Sequence, residues 1–382
     1  MSRKVRVEGR SRLTINAEKD VPDRSFGVSI ASLNGVGIIA ERAMYFNYRG
    51  RQGGHCSAAV SRPAIRQYLA EGYTGGDFDT WICLANPNEE AATARLVFSR
   101  EDGSEVTLDA HLPALSRVSV RANDVPGLGK CSFATRVECP LPLFVERSVY
   151  FVYKNRAGGT NCNAQESPQE RTFFAEGYTG FIFEVWLCLQ NPNAVPTTAH
   201  ITYMFSDGTT QTQDVGIGAT TRQTVNVNEV VGDERDVSMM ITADHPIVAE
   251  RPMYFFYKPF EYLLDWSGGH DVVGATSPQT TFLFAEGYTG AGFEEWLCLQ
   301  NPNPDPTTAH ITYMFADGTT QTQDVGIGAT TRQTVNVNDV VGPGRNVSVK
   351  IEADDPIVAE RPMYFIYKGA WSGGHDVIGY TP

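Results

Sequence analysis

FLFAEGYTGAGFEEWLCLQNPN begins residues 282–368, and PIVAERPMYFIYK ends them. The chain carries three copies of this stretch. Residues 172–258 keep TTAHITYMF, DGTTQTQDVGIGATTRQTVNVN and PIVAERPMYF letter for letter, whereas residues 68–154 diverge around the same skeleton. A period of more than 100 residues is typical of one domain per repeat, since solenoid periods run from about 20 to 50 residues. The AEGYTG box marks each copy with an equivalent glutamate, at Glu71, Glu176 and Glu286.

The N-terminal part of the chain matches only the second half of the repeat. Residues 11–48 align with it so that Arg12 and Asn16 take the places of Arg222 and Asn226. The chain therefore contains four second halves of the repeat but only three first halves. The second half at residues 11–48, which has no first half, would expose strand edges and an apolar face. We expect either that the chain was cut from a longer parent, the interpretation we favour, or that the half pairs with a neighbour. The predicted domains are a partial unit with its linker at residues 1–67 and complete units at 68–171, 172–281 and 282–382.

Short strands alternate with turn residues every 8 to 12 residues or so within each unit, and no stretch shows a sustained helical period. Asp-Gly pairs predict tight hairpins, and Asn-Pro-Asn ends a strand because proline cannot donate to a ladder. Alternation puts Ala199, Ile201 and Tyr203 on the core face and His200 on the solvent face. The sequence therefore predicts an all-β chain of tandem immunoglobulin-like or fibronectin-like β-sandwiches, with a partial sandwich at the N-terminus.

Composition limits the partners of the chain. Its 382 residues include 31 basic and 44 acidic side chains, which give a formal charge of −13 at pH 7. Such a charge repels phosphate backbones and anionic lipids, so we expect no nucleic-acid partner. No run approaches the roughly 18 apolar residues of a membrane span. MSRKVRVEGR at the N-terminus also lacks the apolar core of an export signal, and these features taken alone would indicate a cytoplasmic protein.

The seven cysteines fall into two groups. Three recur in the strand Trp-x-Cys-Leu and are most simply buried apolar residues: Cys83, Cys188 and Cys298. The other four could form two disulfides, which would favour an oxidising compartment: Cys56, Cys131, Cys139 and Cys162. Cys131 and Cys139 bracket a strand of about eight residues, roughly 26 Å long, so we do not expect these two to pair with each other. No cysteine or histidine spacing is typical of a zinc site.

The recurring strand VAERPMYF suggests buried ion pairs. Alternation puts Arg251 on the same face as Ala249 and Met253. A guanidinium on an apolar face needs a carboxylate or carbonyl partner, and the AEGYTG box supplies an acid in every full unit. A ligand site at these positions is the alternative. We predict structural ion pairs between Arg147 and Glu71, between Arg251 and Glu176, and between Arg361 and Glu286.

Tryptophans recur at Trp81, Trp186 and Trp296, each three residues after a phenylalanine. We interpret them as sandwich-core residues. The alternative is a ligand-binding platform, because an exposed aromatic ring can pack on the apolar face of a sugar. Burial of the indoles distinguishes the two.

A Gly-Gly-His-Asp segment lies at the end of each unit, at residues 266–271 and 371–376, with variants at 53–56 and 158–162. One histidine and one aspartate per unit are too few ligands for a transition metal unless neighbouring units contribute. Thr160 replaces the histidine in one copy. We favour packing between domains, or a turn, over a metal or ligand site.

Catalytic motifs are absent from the sequence. It contains no nucleophile elbow, phosphate loop, HExxH motif or suggestive pair of carboxylates. Three nearly equivalent units are typical of a protein that spans a distance or binds several partners at once, whereas an active site usually occurs once per chain. We therefore expect no enzyme activity, no cofactor and no bound metal.

Taken together, AEGYTG, W-x-C-L-x-NPN, PIVAERPMYF and WSGGHD resemble a tandem β-sandwich repeat of bacterial secreted and cell-surface proteins, sometimes found beside cell-wall-acting enzymes. The resemblance covers residues 11–382. It implies an extracellular or cell-surface location, with an export signal that this chain does not contain, and it brings no activity with it.

The function we favour is a non-catalytic extracellular structural protein, in which a rod or lattice of sandwiches forms part of a stalk, surface layer or filament. The orphan half offers an edge for self-association by strand addition. The alternatives are a multivalent carbohydrate-binding or adhesion module that recognises cell-surface glycans, and the accessory region of a cell-wall enzyme.

Overall fold

The computed structural model describes residues 2–180, 182–257 and 266–382. Strands make up 59% of the residues and helices 5%, which confirms the predicted all-β architecture with repeated sheets and a partial N-terminal unit. The N-terminal half-unit, residues 11–58, contains helix α1 (Ala17–Asp20) and one hairpin of strands β1 (Glu41–Tyr48) and β2 (Arg51–Ala58).

Each repeat supplies seven or eight strands. Repeat 1 contains β3 (Ala64–Leu69), β4 (Asp79–Asn86), β5 (Ala92–Arg100), β6 (Glu105–Leu112), β7 (Ser116–Arg121), a 3-10 turn (Ala122–Asp124), β8 (Phe133–Tyr153) and β9 (Arg156–Asn163). Repeat 2 contains β10 (Gln169–Phe174), β11 (Phe183–Gln190), β12 (Thr197–Phe205), β13 (Thr210–Ile217), β14 (Arg222–Asn226), helix α2 (Val227–Val231), β15 (Val237–Tyr257) and β16 (Trp266–Val273). Repeat 3 contains β17 (Gln279–Phe284), β18 (Phe293–Asn301), β19 (Thr307–Phe315), β20 (Thr320–Ile327), β21 (Thr331–Asn336), helix α3 (Val337–Val341), β22 (Val347–Glu360), β23 (Met363–Tyr367) and β24 (Trp371–His375).

One long strand joins the two layers of each sandwich. The first half of β8 pairs with β3 and β5, and its second half pairs with β4 and β9. The change of partners falls near Pro140 and Pro142, where the missing proline N–H groups interrupt the ladder. In repeat 2 the same change falls at Pro246, and β15 is likewise one continuous strand that crosses between layers.

The predicted faces agree with the structure. Ala199, Ile201 and Tyr203 are buried in the core of repeat 2, whereas His200 is exposed. In β4, Ile82 and Leu84 point into the core of repeat 1. Trp81 and Cys83, which alternate with them, therefore lie on the opposite face of that strand.

Each of repeats 2 and 3 contains one short helix after a strand. In repeat 2, β14 ends at Asn226 and the chain turns into the short helix α2. Gly232 ends this helix with φ of 82°, a conformation that glycine adopts without strain. The same strand, helix and glycine recur in repeat 3, where the Asn336 side chain accepts from the Asp339 amide at the helix start. Sequence patterning missed these helices because one turn is too short to show a helical period.

The glycine-rich strands β2, β9, β16 and β24 pack together and close a ring. A Cβ atom built on Gly158 would lie 3.1 Å from the Cα of Gly268, and one built on Gly268 would lie 3.0 Å from the Cα of Gly373. A Cβ on Gly373 would lie 3.1 Å from the amide nitrogen of Gly54, and one on Gly53 would lie 3.4 Å from the Cα of Gly158. Backbone contact thus passes through all three repeats and returns to the N-terminal hairpin.

The tandem repeats therefore form a ring of four positions instead of an extended row. The half-unit occupies the fourth position, between repeat 3 and repeat 1. Its Arg12 donates to the carbonyl of Gly287, as Arg332 of repeat 3 donates to the carbonyl of Gly177 in repeat 2. The half-unit is thus attached to repeat 3 as repeat 3 is attached to repeat 2.

The core of the half-unit is open. Val28 is 64% exposed and Ile30 is 57% exposed, while Val349 and Ile351, which alternate in the same way in repeat 3, are fully buried. Ile38 is 49% exposed, although its equivalent three residues before the strand glutamate, Ile357, is buried. The described residues place no first half at this position to cover them.

Candidate functional site

Buried arginines join neighbouring units of the ring. Arg147 has no solvent exposure, and its Nε lies 3.0 Å from Glu71 Oε2 in the same repeat. Its other nitrogens bind two carboxylates of repeat 2, with Nη1 2.6 Å from Glu250 Oε2 and Nη2 in contact with Asp271. Burial alone would lower the pKa of Arg147, but the three carboxylates outweigh it and hold the pKa well above its usual range. The guanidinium therefore links repeat 1 to repeat 2.

Arg251 makes the same link between repeat 2 and repeat 3, but the predicted partner Glu176 does not contact it. Arg251 Nη2 lies 3.0 Å from Glu360 and 2.6 Å from Asp376, both in repeat 3. Glu176 Oε2 instead lies 3.3 Å from Arg332 Nη2. The reason is that Arg332 reaches across from repeat 3 and pairs with Glu176 in place of Arg251.

In repeat 1 the corresponding competition is absent. Arg222, the equivalent of Arg332, donates to the carbonyl of Ala70 and binds Glu101 at 2.8 Å. Glu71 is therefore left for Arg147, and this pair forms as predicted from the sequence.

Arg361 links repeat 3 to the half-unit and so closes the ring. Its Nη2 lies 3.0 Å from Glu41, and its Nη1 lies 3.7 Å from the sequence-predicted partner Glu286. Cys56 Sγ stands 3.8 Å from Nη2, in the place that Asp271 and Asp376 hold at the other two links. The neighbouring unit thus contributes one carboxylate to Arg361, where it contributes two to Arg147 and to Arg251.

The strand glutamates also cap the unit before them in the ring. Glu250 accepts from the amides of Ala70 and Glu71 at 2.8 and 3.1 Å. Glu360 accepts from Ala175 at 2.8 Å, and Glu41 accepts from Ala285 at the same distance. Each AEGYTG box therefore begins against a carboxylate of the next unit, which explains why both motifs recur together.

Stacked or tilted tyrosines form a second set of links between units. The four pairs have ring centres 3.9 to 4.6 Å apart: Tyr48 with Tyr150, Tyr153 with Tyr254, Tyr257 with Tyr364, and Tyr367 with Tyr45. At three links the tyrosine hydroxyl donates to an acid of the next unit, at Asp79, Glu184 and Glu294. At the fourth link, Tyr367 stacks on Tyr45, but no carboxylate among the described residues accepts a hydrogen bond from its hydroxyl.

The tryptophans lie between units, not in the core of their own sandwich. Trp81, Trp186 and Trp296 are each half-buried, on the face of the strand opposite the core. Trp186 packs on the cluster that contains Phe151 and Tyr254, and Trp296 packs on the core of repeat 2. The core interpretation is therefore wrong for their own sandwich, and carbohydrate binding by these indoles stays a prediction.

All seven cysteines are free. Cys188 packs with Tyr68 and Ala70 of repeat 1, and Cys298 packs with Phe173 and Ala175 of repeat 2, so both are buried between units. The ligand atoms of Cys162, Glu250 and Asp271 lie within 4.8 Å of one another, a spacing that could hold a metal ion. Arg147 already binds both acids there, so that position holds a cation of the protein itself.

The Gly-Gly-His-Asp segments meet at the centre of the ring. His55, His270 and His375 are at most 2% exposed, and neither ring nitrogen of any of them has a hydrogen-bond partner among the described residues. A buried polar atom left without a partner costs about 1–3 kcal/mol. One narrow cavity is lined by equivalent residues of all four positions: His55, Cys56, Thr160, Asn161, His270, Asp271, His375 and Asp376.

The three imidazoles are neutral at physiological pH. Burial, with Arg42 nearby, lowers the pKa of His55 to about 3. Burial likewise lowers the pKa of His270, with further contributions from Arg251 and His375, and the pKa of His375, with contributions from Arg361 and His55. Sequence reasoning weighed a shared site but could not place three units around one axis.

No family model matches the chain, and no curated protein matches it. The solved structures similar to parts of it include Thermotoga maritima 1070, at 18% identity and a TM-score of 0.26, covering 28% of this chain and 96% of that one. The Anabaena sensory rhodopsin transducer is 23% identical with a TM-score of 0.21, covering 23% of this chain and 91% of that one. A tetra-tandem repeat from the extending region of a large adhesion protein is 10% identical with a TM-score of 0.13, covering 86% and 77%. At these scores the likenesses support no statement about function. None of the helices in the described part of the chain has the length and hydropathy to span a bilayer.

Proposed function

We propose that the protein is a non-catalytic structural subunit that associates with further copies of itself through the open fourth position of its ring. The observation that carries this proposal is a socket in which one partner is missing. The socket consists of the apolar side chains of residues 26–38 and three polar residues of repeat 1, namely Cys83, Arg117 and Glu146.

The polar residues of the socket have buried counterparts wherever a first half is present. Glu146 retains 30% side-chain exposure, whereas Glu250 and Glu360 are fully buried. Arg117 is half-buried, while its equivalents Arg222 and Arg332 are at most 3% exposed.

The thiol positions give the same comparison. Cys83 is half-buried, but Cys188 and Cys298 are at most 3% exposed beneath the preceding first half. The same surface is thus complete at two contacts and open at one.

The chemistry of the socket defines its partner. At the completed contacts the strand glutamate accepts backbone N–H groups and the arginine donates to backbone carbonyls, as Glu250 and Arg222 do with Ala70 and Glu71. The occupant is therefore an extended segment with a free strand edge and apolar side chains, which is strand addition. A second copy of this chain carries segments of this kind in every unit.

This mode of association reconciles a closed ring with a filament, layer or stalk. Within one chain the contacts return to their starting point, so a larger structure requires contacts between chains. The non-catalytic part of the proposal is supported by the arginine pairing of the buried carboxylates at the links. An extracellular or cell-surface location belongs to the same proposal and is tested by protease accessibility on intact cells that make the protein.

Assembly is favoured over a glycan-binding role because Trp186 and Trp296 pack between units, where a sugar ring would have to displace protein. Glycan binding predicts that Trp186→Ala abolishes carbohydrate retention while the ring stays intact. The assembly proposal gives that variant no special effect on association.

Sedimentation velocity over a wide range of protein concentration tests the proposal, with electron microscopy of the same samples. We expect concentration-dependent oligomers of the native chain, and their loss in the double variant Val28→Lys, Ile30→Lys. Val195→Lys is the matched control, because Val195 is 48% exposed on repeat 2, away from the socket. A monomer at every concentration, or association unaffected by the double variant, would contradict the proposal.

A further inference from the structure

We propose that the open fourth position of the ring is a binding site for one further first half of this repeat, carried by a polypeptide that has no second half to pair it with. A first half is the segment of three strands that begins each unit, as β17, β18 and β19 begin repeat 3. The inference rests on the socket of the proposed function and goes beyond it, because it names the structure that fills the position completely.

Three segments of the N-terminal part align with strands of repeat 3 but have no ladder partner in the described part of the chain. Residues 4–7 align with the end of β20, residues 12–16 with β21, and residues 26–32 with the start of β22. In repeat 3 these strands pair with the first half, β20 with β19, β21 with β18, and the start of β22 with β17 and β19. The edges that lack a partner are therefore those that a first half would pair.

Apolar side chains of these segments are exposed where repeat 3 buries them. Val5, Val7 and Ile15 are 44% or 45% exposed, whereas their equivalents are at most 8% exposed: Val325, Ile327 and Val335. In repeat 3 the first half covers these equivalents with core residues such as Leu297 and Ile311. A first half at the open position would thus complete a whole apolar core, which a single added strand cannot do.

Repeat 3, on one side of the open position, leaves a surface for the Trp-x-Cys-Leu strand of a first half. Phe173 and Ala175 of repeat 2 are buried against Cys298, which lies in that strand of the next unit. The equivalent Leu283 and Ala285 of repeat 3 are only half-buried. The sequence of the half-unit contains no Trp-x-Cys-Leu strand to cover them.

Repeat 1, on the other side, leaves a surface for the AEGYTG box of a first half. Cys188 of repeat 2 is buried beneath Tyr68 and Ala70, and Ala70 is the first residue of the box in repeat 1. The equivalent thiol of repeat 1, Cys83, is half-buried. A first half in the open position would therefore bring its own box over Cys83.

The charge at the open position also selects an AEGYTG box. The Arg42 side chain is 45% exposed, whereas the equivalent arginines Arg147 and Arg361 have no exposure. Arg147 lies 3.0 Å from the box glutamate of its own unit, Glu71, and Arg361 lies 3.7 Å from Glu286. The box glutamate of an added first half would place the corresponding carboxylate beside Arg42, where an apolar strand without an acid would leave that cation exposed.

Copies of this chain cannot fill the position by exchanging first halves among themselves. Each copy brings four second halves and three first halves, so every exchange leaves one second half open per chain. Strand addition between copies can cover exposed edges, but a complete fourth unit requires a first half from a polypeptide with one to spare. Such a polypeptide is identified by three strands that carry AEGYTG and W-x-C-L.

The probe for this site is residues 277–318, the first half of repeat 3, attached to a soluble carrier protein. It is mixed with the full-length chain at a concentration at which sedimentation velocity shows a monomer, so that self-association does not contribute. Fluorescence anisotropy of a dye on the carrier measures binding. The thiols of the full-length chain are then alkylated and identified by mass spectrometry.

We expect one probe to bind per chain and to slow the alkylation of Cys83. Alkylation of Cys131, which is half-buried beside Thr74 within repeat 1, should not change. Leu297→Lys in the probe puts a charge on its core face and should weaken binding by about tenfold or more. His310→Lys is the matched control, because His310 is exposed on the other face of the sheet, and it should leave binding unchanged.

A second arrangement removes the dependence on the solubility of a separate fragment. The same segment is joined to the N-terminus of the full-length chain by a flexible linker, which raises its local concentration at the open position. We expect the joined chain to have a higher thermal midpoint than the parent protein and a slower alkylation of Cys83. Both effects should be lost with Leu297→Lys in the added segment.

The proposal is overturned if the separate probe does not bind and the joined chain keeps the thermal midpoint and the Cys83 alkylation rate of the parent protein. Binding that Leu297→Lys does not weaken would also overturn it, because the core face would then have no part in the contact. Either result leaves the self-association of the native chain at higher concentration unaffected. A native chain that stays monomeric at every concentration would contradict the proposed function and would leave the binding of the probe as expected here.

Discussion

Tyr367, near the C-terminus, stacks on Tyr45 of the N-terminal hairpin, with ring centres 3.9 Å apart and planes within 12° of parallel. The same stack joins Tyr257 to Tyr364 at 4.2 Å, between two consecutive repeats. The ends of the chain thus meet through the contact that joins its neighbouring units, and this relationship makes the molecule a ring.

This stack predicts a measurable coupling. In a double-mutant cycle, Tyr45→Leu and Tyr367→Leu should interact by about 0.5–1.5 kcal/mol in the free energy of unfolding, the usual worth of an aromatic pair beyond its buried area. Denaturant titrations of the two single variants and the double variant measure it. The control cycle pairs Tyr45→Leu with Tyr153→Leu, which lie at different links and should be additive. If the effects of Tyr45→Leu and Tyr367→Leu were also additive, the N-terminal hairpin would not pack on repeat 3 in solution.

Replacing an arginine that links two units should lower the free energy of unfolding strongly. Arg251→Met removes the cation that forms ion pairs with Glu360 and Asp376 and leaves two buried acids beside each other. Breaking a buried ion pair by removing one partner costs about 3–5 kcal/mol. Denaturant unfolding measures this, with Arg235→Met as the control, since Arg235 is 47% exposed and its ion pair with Asp207 spans 3.6 Å. A control-sized effect, below about 1 kcal/mol, for Arg251→Met would show that the link contributes little to stability.

The glycines of the ring centre should not tolerate a methyl group. A Cβ on Gly268 would meet the Gly373 backbone at 3.0 Å, and neither backbone can move without opening the ring. Overpacking of this kind costs about 1–3 kcal/mol, so Gly268→Ala should lower the thermal midpoint. Gly216→Ala is the matched control in a strand, because a Cβ there meets nothing within 4 Å. Equal midpoints for the two variants would be incompatible with close packing of the central strands.

Stability should fall in mild acid because of the central histidines. The folded pKa of His55 is about 3, below its ordinary 6.5, so between these values the unfolded chain binds more protons than the folded one. The contribution of His55 is complete above pH 6.5 and is lost as the pH falls towards 3. Asp271 and Asp376 act in the opposite sense, since burial raises the pKa of each and their contribution declines as the pH rises.

A variant comparison isolates the histidine contribution from that of the acids. The double variant His55→Phe, His375→Phe should show a flatter dependence of unfolding free energy on pH below 6.5 than the parent protein. His200→Phe serves as the control, because His200 is exposed and its two aspartates raise its pKa. Parallel profiles for the double variant and its parent would mean that the imidazoles are accessible to protons in the folded state.

Sequence patterning anticipates what is local to one unit. The alternation of Ala199, Ile201 and Tyr203 against His200 gives the correct face because a strand has a strict period of two. The repeat gives the number of sandwiches, and an apolar-facing arginine indicates a buried acid. For Arg147 the acid within the same repeat is indeed beside it.

The rest depends on how units meet, which a repeated sequence cannot specify. Glu360 and Asp376 lie 109 and 125 residues beyond Arg251, yet identical residues occur within its own repeat, so the pattern does not say which copy makes the contact. Strand β18 did indicate in the sequence that a second surface covers it, because Trp296 and Cys298 make its non-core face apolar as well. A strand that is apolar on both faces must be covered on both, and the second cover is the neighbouring unit.

Small-angle X-ray scattering of the Val28→Lys, Ile30→Lys monomer tests the ring most directly. For 382 residues packed as one compact body, the account predicts a radius of gyration of about 21 Å and a compact distribution of interatomic distances. A clearly larger radius with an elongated distribution, as a row of separate sandwiches would give, would contradict it.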